Sequence, residues 1–288
     1  MAEQHTVKQE DKLLNFLFSV LNTWSKKKVK ERLKSNTVAV NGVNTTKFDF
    51  PLAVDDLVEI GVVQRRSSAP INSLEILYQD AELIAINKPA GLLSVGTKQE
   101  NKNHALAILR KQLTKGRKSP DLIPVHRLDR ETSGILLFAT SRELREKVVG
   151  TWSKAEKIYL AVVKGQPKEE NGSINQALRL DENEYKMHVG DHPKAQFALT
   201  HYETKESTET KSLLKVRIET GRQHQIRAHL SWLGNYVLGD ERYGKGYKKG
   251  DRMGLHATKL TVVHPRTKKP LSFEVDAPKD FYALLLAE

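Results

Sequence analysis

The chain has 288 residues, with 47 Lys and Arg against 35 Asp and Glu, a formal net charge of +12, and no cysteine. The missing thiols exclude a disulfide framework, a thiolate nucleophile, a Cys-zinc site and an iron–sulfur cluster. The basic excess favours a polyanionic partner, nucleic acid ahead of acidic membrane. The length suits two domains. No apolar run approaches the ~20 residues of a membrane span, and the polar first ten residues lack a signal-peptide core. A soluble cytoplasmic protein with no membrane partner is the expectation.

In chain order, Leu13 to Leu21 is apolar over most of a helix surface, and Asn22-Thr23 ends it. Ser25 is a suitable N-cap for a second helix. That helix, residues 26–34, carries Lys26, Lys27, Lys28, Lys30, Arg32 and Lys34 against the single acid Glu31. Val29 and Leu33 share one of its faces. A charge run of this kind reads either as a solvated face or as a surface screened by a polyanion. Val38-Ala39-Val40 leads into Asn41-Gly42, a tight-turn signal. Asp55-Asp56 turns the chain into the strand Leu57-Val58-Glu59-Ile60. Residues 64–70 read as a linker ended by Pro70. The boundaries expected are a small unit at 1–70 and a larger one at 71–288.

Beyond the linker, strands are predicted at 74–78 and 83–87 around a turn at Asp80, and a helix at 104–113. A strand follows at 135–139, then a helix capped by Ser141. Further strands are predicted at 158–163, 211–219 and 260–263. Residues 203–211, polar and repetitive, read as a hairpin tip. Strands outnumber helices and often follow one another directly. The fold class is therefore α+β, with a mixed, largely antiparallel central sheet. Basic residues interleaved with aromatics, as in Arg242, Tyr243, Lys245, Tyr247, Lys248 and Lys249, suit a nucleic-acid groove.

The sequence His126-Arg127-Leu128-Asp129-Arg130-Glu131-Thr132-Ser133-Gly134 stands just before the strand at 135–139. Taken alone, Asp129 has a structural reading, a carboxylate paired with Arg127 or Arg130, beside the catalytic one. The wider pattern resembles the pseudouridine synthases of the ribosomal-large-subunit and transfer-RNA type. Asn87-Lys88-Pro89-Ala90-Gly91-Leu92 is similar to that family's first motif, and Lys157-Ile158-Tyr159-Leu160 to its tyrosine strand. Thr220-Gly221-Arg222-Gln223-His224-Gln225-Ile226-Arg227, with Gly239-Asp240 and Tyr243 beyond, is similar to its arginine motif, and Leu255-His256-Ala257 and His264-Pro265 complete the tail. The likeness spans about residues 74–285. The first unit resembles an S4-like RNA-binding domain, a small α/β module, with Asn36 and Asp55-Asp56 departing from that family's usual glycines.

The resemblance implies that uridine's N1–C1′ bond becomes a C5–C1′ bond with nothing added overall, so that no cofactor or metal is called for. It makes Asp129 the essential carboxylate, either as a nucleophile at C1′ or as the base that takes a C2′ proton. A bare carboxylate is costly to keep ionised in a closed pocket, and Arg227 is the implied guanidinium partner. Tyr159 is the implied stacking ring and candidate base for the C5 proton. Arg127 and Leu255 would support the extruded nucleotide, and Lys88, Arg222 and His126 are further substrate-side candidates. The RNA would be ribosomal, with transfer RNA as the alternative, and the protein a monomer. Two competing readings are a non-catalytic ribosomal-RNA-binding assembly factor and a hydrolase built on His126 and Ser133. The ten histidines, His224 and His229 among them, read as structural residues or RNA contacts rather than metal ligands.

Overall fold

The computed structural model describes residues 3–34, 37–41, 43–60, 71–97, 100–114, 121–248 and 250–286. The expected linker at 64–70, Asn36, Gly42 and Lys249 lie outside them, as does the side chain of Lys34. The chain divides into two compact units, Met1–Pro70 and Ile71–Glu288. Among the described residues no helix is long and apolar enough to cross a membrane.

The first unit runs β1 (Glu3–Thr6), β2 (Asp11–Lys12), α1 (Leu13–Val20), α2 (Lys26–Lys34), β3 (Val38–Val40), β4 (Val43–Asn44), β5 (Pro51–Leu52) and β6 (Leu57–Ile60). Its main sheet has the order β1-β6-β3-β4. Leu13 and Leu17 of α1, Val29 and Leu33 of α2, and Val38, Val40, Val58 and Ile60 of the sheet form one core. Each such side chain, fully buried, contributes roughly 1.5–3 kcal/mol. Ser25 Oγ accepts the Lys28 N–H at 3.3 Å, satisfying a donor that the helix leaves open. Asn41 takes the left-handed conformation (φ 50). Its side chain donates to Asp56 Oδ1 and accepts the Leu57 N–H, both at 2.8 Å, which fastens the turn to the Asp55-Asp56 corner.

The second unit opens with β7 (Glu75–Gln79), β8 (Leu83–Lys88), α3 (Ala105–Thr114), β9 (Ile123–Pro124), β10 (Ser133–Ala139) and α4 (Arg142–Val149). It continues with β11 (Glu156–Lys164), β12 (Asn171–Asn175), β13 (Leu178–Asp181), β14 (Lys186–Val189), β15 (Leu199–Ser207) and β16 (Lys211–Ile218), then α5 (Gln225–Trp232), β17 (Leu255–Val263), β18 (Pro270–Glu274) and α6 (Lys279–Leu286). A ten-stranded sheet follows the order β12-β15-β16-β11-β17-β10-β8-β7, with β18 on β17 and β9 on β10. The β10–β17 pairing is parallel, and its other pairings are antiparallel. The α+β, largely antiparallel architecture is the one expected.

The sheet's centre is covered on both faces, which is why its strands read as unbroken apolar runs. Ile84, Ile86, Leu136 and Phe138 pack with Ala105, Ile108 and Leu109 of α3. The alternate residues Leu83, Ala85, Ile135 and Leu137 pack with Val148 of α4 and with Val262 and Phe273. Gly134 joins β10 to β17 at φ +108, where a Cβ would stand 2.2 Å from the Ala257 carbonyl oxygen. No other residue tolerates that approach.

The structure adds elements that the sequence reading did not place, among them β1, β12, β13, β14, β18 and α6, and two further departures have a clear physical reason. Residues 203–207 belong to β15, with Glu203 opposite Lys215, so only 208–210 are left for the hairpin tip. Exposed polar side chains there hide a strand held by its backbone ladder. Helix α5 was not anticipated. Its residues Gln225 to Leu230 are all buried, so no polar face marks it as amphipathic.

Candidate active site

The loop carrying Asp129 is tied down at several points. Ser94 Oγ donates to the Leu128 carbonyl at 2.8 Å and accepts the Leu128 N–H at 3.0 Å. The Gly91 N–H reaches the Arg130 carbonyl at 2.9 Å. Lys88, fully buried, donates its ammonium to the carbonyls of Leu92 (2.7 Å), Pro89 (3.0 Å) and Arg130 (3.0 Å). This corrects the expectation that Lys88 contacts RNA. Three carbonyl acceptors use all three of its N–H groups, and no surface is left for a phosphate. Burial pulls the ammonium down to about 7, opposed by Glu131 and Asp129. The first motif therefore clamps the Asp129 loop.

Asp129 retains 21% of its side-chain surface, so a substrate can reach it. Its Oδ2 accepts from Arg227 at 2.8 Å, across 98 residues of sequence. The same guanidinium forms a two-pronged pair with Asp240, Nε to Oδ2 at 2.6 Å and the second nitrogen to Oδ1 at 2.8 Å. Asp240 also accepts the N–H groups of Arg242 and Tyr243. Gly239 before it has φ +67, and a Cβ there would meet the Arg252 carbonyl oxygen at 2.2 Å. Burial disfavours the Arg227 charge, but the two carboxylates outweigh it and raise its pKa further. Asp240 itself, penalised by burial, is pulled below the usual carboxylate range by Arg227. Arg227 is thus a fixed cation held by one acid and offered to another.

Tyr159, Leu255, Arg127 and Arg222 line the same cleft with Asp129 and Arg227. Tyr159 sits where the β11–β17 register shifts, a bulge that re-aims side chains. Burial, and then the Asp129 charge, push its phenol up, so it meets a substrate protonated. Arg222 Nε donates to the Phe197 carbonyl at 3.0 Å, which steadies the rim. In the first unit Lys26, Lys27, Lys28 and Lys30 are exposed. Lys28 and Arg32 approach the Trp24 ring at 4.1 and 5.2 Å, and Lys26 that of Phe18 at 5.9 Å.

His126 is corrected as well. Its Nε2 accepts the Leu137 N–H at 3.2 Å, and its ring packs 5.3 Å from that of Trp152. Burial pushes it to about 4, and it does not line the cleft. Ser133 bonds His256 Nδ1 (2.8 Å) and Arg252 (2.6 Å), all buried. The imagined His126–Ser133 hydrolase pair is therefore not assembled. Asp80, Glu82 and His264 come within metal-binding distance of one another. However, His264 Nδ1 accepts the N–H groups of Arg266 and Thr267, so its proton lies on Nε2 and is donated to Asp80 at 2.8 Å. Arg266 pairs with Glu82, and the group reads as a clamp. Sequence reasoning gave His224 no place at the site beyond a structural residue or RNA contact, yet it lines the cleft with Nε2 3.8 Å from Asp129 Oδ1. Its place inside the arginine motif was the signal available.

A family model described as RNA pseudouridylate synthase matches residues 82–232, which contain Asp129, Tyr159 and Arg227. The chain is 32% identical to ribosomal large subunit pseudouridine synthase D of Xylella fastidiosa, over 92% of this chain and 85% of that protein. It is 34% identical to tRNA pseudouridine synthase C of Haemophilus ducreyi, over 69% of this chain and 89% of that one. The solved structure of human RNA pseudouridylate synthase domain containing 4 matches with a TM-score of 0.60 at 28% identity, covering 72% of this chain and 90% of that one. Through the matched span and the relatives' names, this chain belongs to the RNA pseudouridine synthases, isomerases that convert uridine to pseudouridine within RNA.

Proposed function

We propose that Asp129 is the carboxylate that reacts with the sugar of an extruded uridine, and that the substrate is large-subunit ribosomal RNA. The observation carrying the first part is the 2.8 Å contact of Arg227 with Asp129 Oδ2 inside a cleft shared with Tyr159. That contact leaves Oδ1 as the oxygen free to react. In one route Oδ1 attacks C1′ as N1 departs with the bonding pair. In the other it takes the C2′ proton as N1 departs, leaving a glycal, and returns that proton to C2′ when C5 adds to C1′. Either way the freed base turns and C5 bonds to C1′, in the first route displacing Oδ1, which leaves with the bonding pair; the C5 proton then leaves and N1 is protonated. Atoms balance without an oxidant or an energy source. Extruding the base costs a few kcal/mol, offset by stacking on Tyr159, by Leu255, and by Arg127 and Arg222 at the rim.

Residues 1–70 act in this reading as an S4-like RNA-binding domain, with the α2 cations on phosphates, which position without specifying sequence. Residues 71–288 are the catalytic domain. The ribosomal relative aligns over 92% of the chain and so reaches into the first unit, which supports a ribosomal target. One chain supplies every group at the site, so a monomer suffices.

The test uses unmodified ribosomal and transfer RNA carrying tritium at uracil C5. The wild-type enzyme should release tritium from the ribosomal RNA, and Asp129→Ala should release it at least about 1,000-fold more slowly. Release by Asp129→Ala at the wild-type rate refutes the carboxylate's role, and release from transfer RNA alone refutes the target.

A further inference from the structure

His224 holds a place that the reaction just described does not use. It precedes α5 in the left-handed conformation, φ 49 and ψ 20. A non-glycine residue there is strained, and such strain persists only where its surroundings enforce it. Its side chain is 9% exposed and lies between two groups. On one side Nδ1 is 3.1 Å from the Tyr243 hydroxyl. On the other, Nε2 is 3.8 Å from Asp129 Oδ1.

The Tyr243 hydroxyl fixes the imidazole's tautomer. Its oxygen accepts the Met187 N–H at 2.7 Å. Among the described residues His224 Nδ1 is the acceptor within reach of its single hydrogen, so the hydroxyl donates to Nδ1. The neutral ring must carry its proton on Nε2, aimed into the cleft. Burial outweighs the pull of Asp129 and Asp240 and, with Arg227 and Arg242 adding to it, pushes His224 down to about 4, so the ring stays neutral. Burial raises Tyr243 to about 12, so the phenol keeps its hydrogen.

From this arrangement we propose that the His224 Nε2–H is a hydrogen-bond donor for the 2′-hydroxyl of the target nucleotide. The proposal rests on Asp129 as the reacting carboxylate. Whether Oδ1 meets C1′ or the C2′ hydrogen, the 2′-oxygen is bonded to the carbon at or next to that contact. A donor 3.8 Å from Oδ1, too far to bond it directly, is placed to bond the hydroxyl beside it. The base lies away on the other side of C1′, toward Tyr159 and Leu255. His224 would thereby favour ribose over deoxyribose and set the sugar against Oδ1.

Two measurements test this. The first is nitrogen-15 NMR of the intact enzyme, which reads the tautomer without any substrate. The proton should be on Nε2 of His224 in the wild type, and should be redistributed in Tyr243→Phe. A wild-type proton on Nδ1 overturns the proposal. The second measures dissociation constants for the RNA in which the wild type releases tritium, with uridine or 2′-deoxyuridine at the modified position. The wild type should prefer the ribonucleotide about 3- to 10-fold, the worth of one hydrogen bond. His224→Ala should lose that preference, and His224→Asn, which can present an N–H, should recover part of it. Discrimination that survives in His224→Ala also overturns it. Failure of the underlying reading shows separately, as tritium release by Asp129→Ala.

Discussion

The two units of this protein use positive charge in opposite ways. In the first, Lys26, Lys27, Lys28 and Lys30 stand exposed along α2, with the ammonium groups of Lys26 and Lys28 over aromatic rings. In the second, Lys88 and Arg227 are buried, and their side-chain nitrogens donate to carbonyls and carboxylates. Exposed cations attract a polyanion at long range, are screened by salt and can be exchanged for one another. Buried cations fix geometry, because an unpaired polar partner in the interior is costly. A net charge of +12 therefore covers two kinds of environment, and burial separates them.

The contrast is broken most directly at Lys88. Lys88→Met keeps much of the volume but leaves the carbonyls of Pro89, Leu92 and Arg130 without a donor. It should cost about 2–4 kcal/mol of stability, read by denaturant unfolding, and slow catalysis by loosening the Asp129 loop. The salt dependence of RNA binding should stay as in the wild type. A stable variant with a shallower salt slope would return Lys88 to the RNA contacts.

Protons extend the contrast to the second unit's histidines. Burial pushes His126, His224 and His256 down to about 4. Between pH 6.5 and 4 the unfolded chain then binds protons that the folded chain does not. Stability should rise with pH across that window and fall on acidification, by about 1.5 kcal/mol for each of the three rings between pH 6.5 and 5. Unfolding midpoints measured across this range check the sign, and a flat profile would mean the rings are charged in place. Turnover should show no step near pH 6.5 arising from His224.

The smallest stability effect belongs to α2. Lys27→Gln and Lys30→Gln should change stability by less than about 0.5 kcal/mol. Each should lower the slope of log binding constant against log salt by about 0.7–0.9 if its phosphate contact is lost. Salt titrations of RNA binding measure this. An unchanged slope would mean that α2 does not meet RNA.

The sequence alone determined the strands at the sheet's centre, because β8 and β10 bury both faces and leave long apolar runs. It also determined the helix cap at Ser25 and the Asp129 motif, whose signals are local and do not depend on distant residues. What Lys88, His126 and His224 do was decided only by the tertiary structure. A polar side chain's partners are chosen by whatever the fold brings near, and here the deciding ones are distant in sequence, Arg130 42 positions from Lys88, and Asp129 and Tyr243 on either side of His224. Helix α5 was hidden for the same reason. Its Gln, Arg and His residues are interior because partners such as Asp240 and Thr200 stand ready for them, and no pattern within eight residues records that.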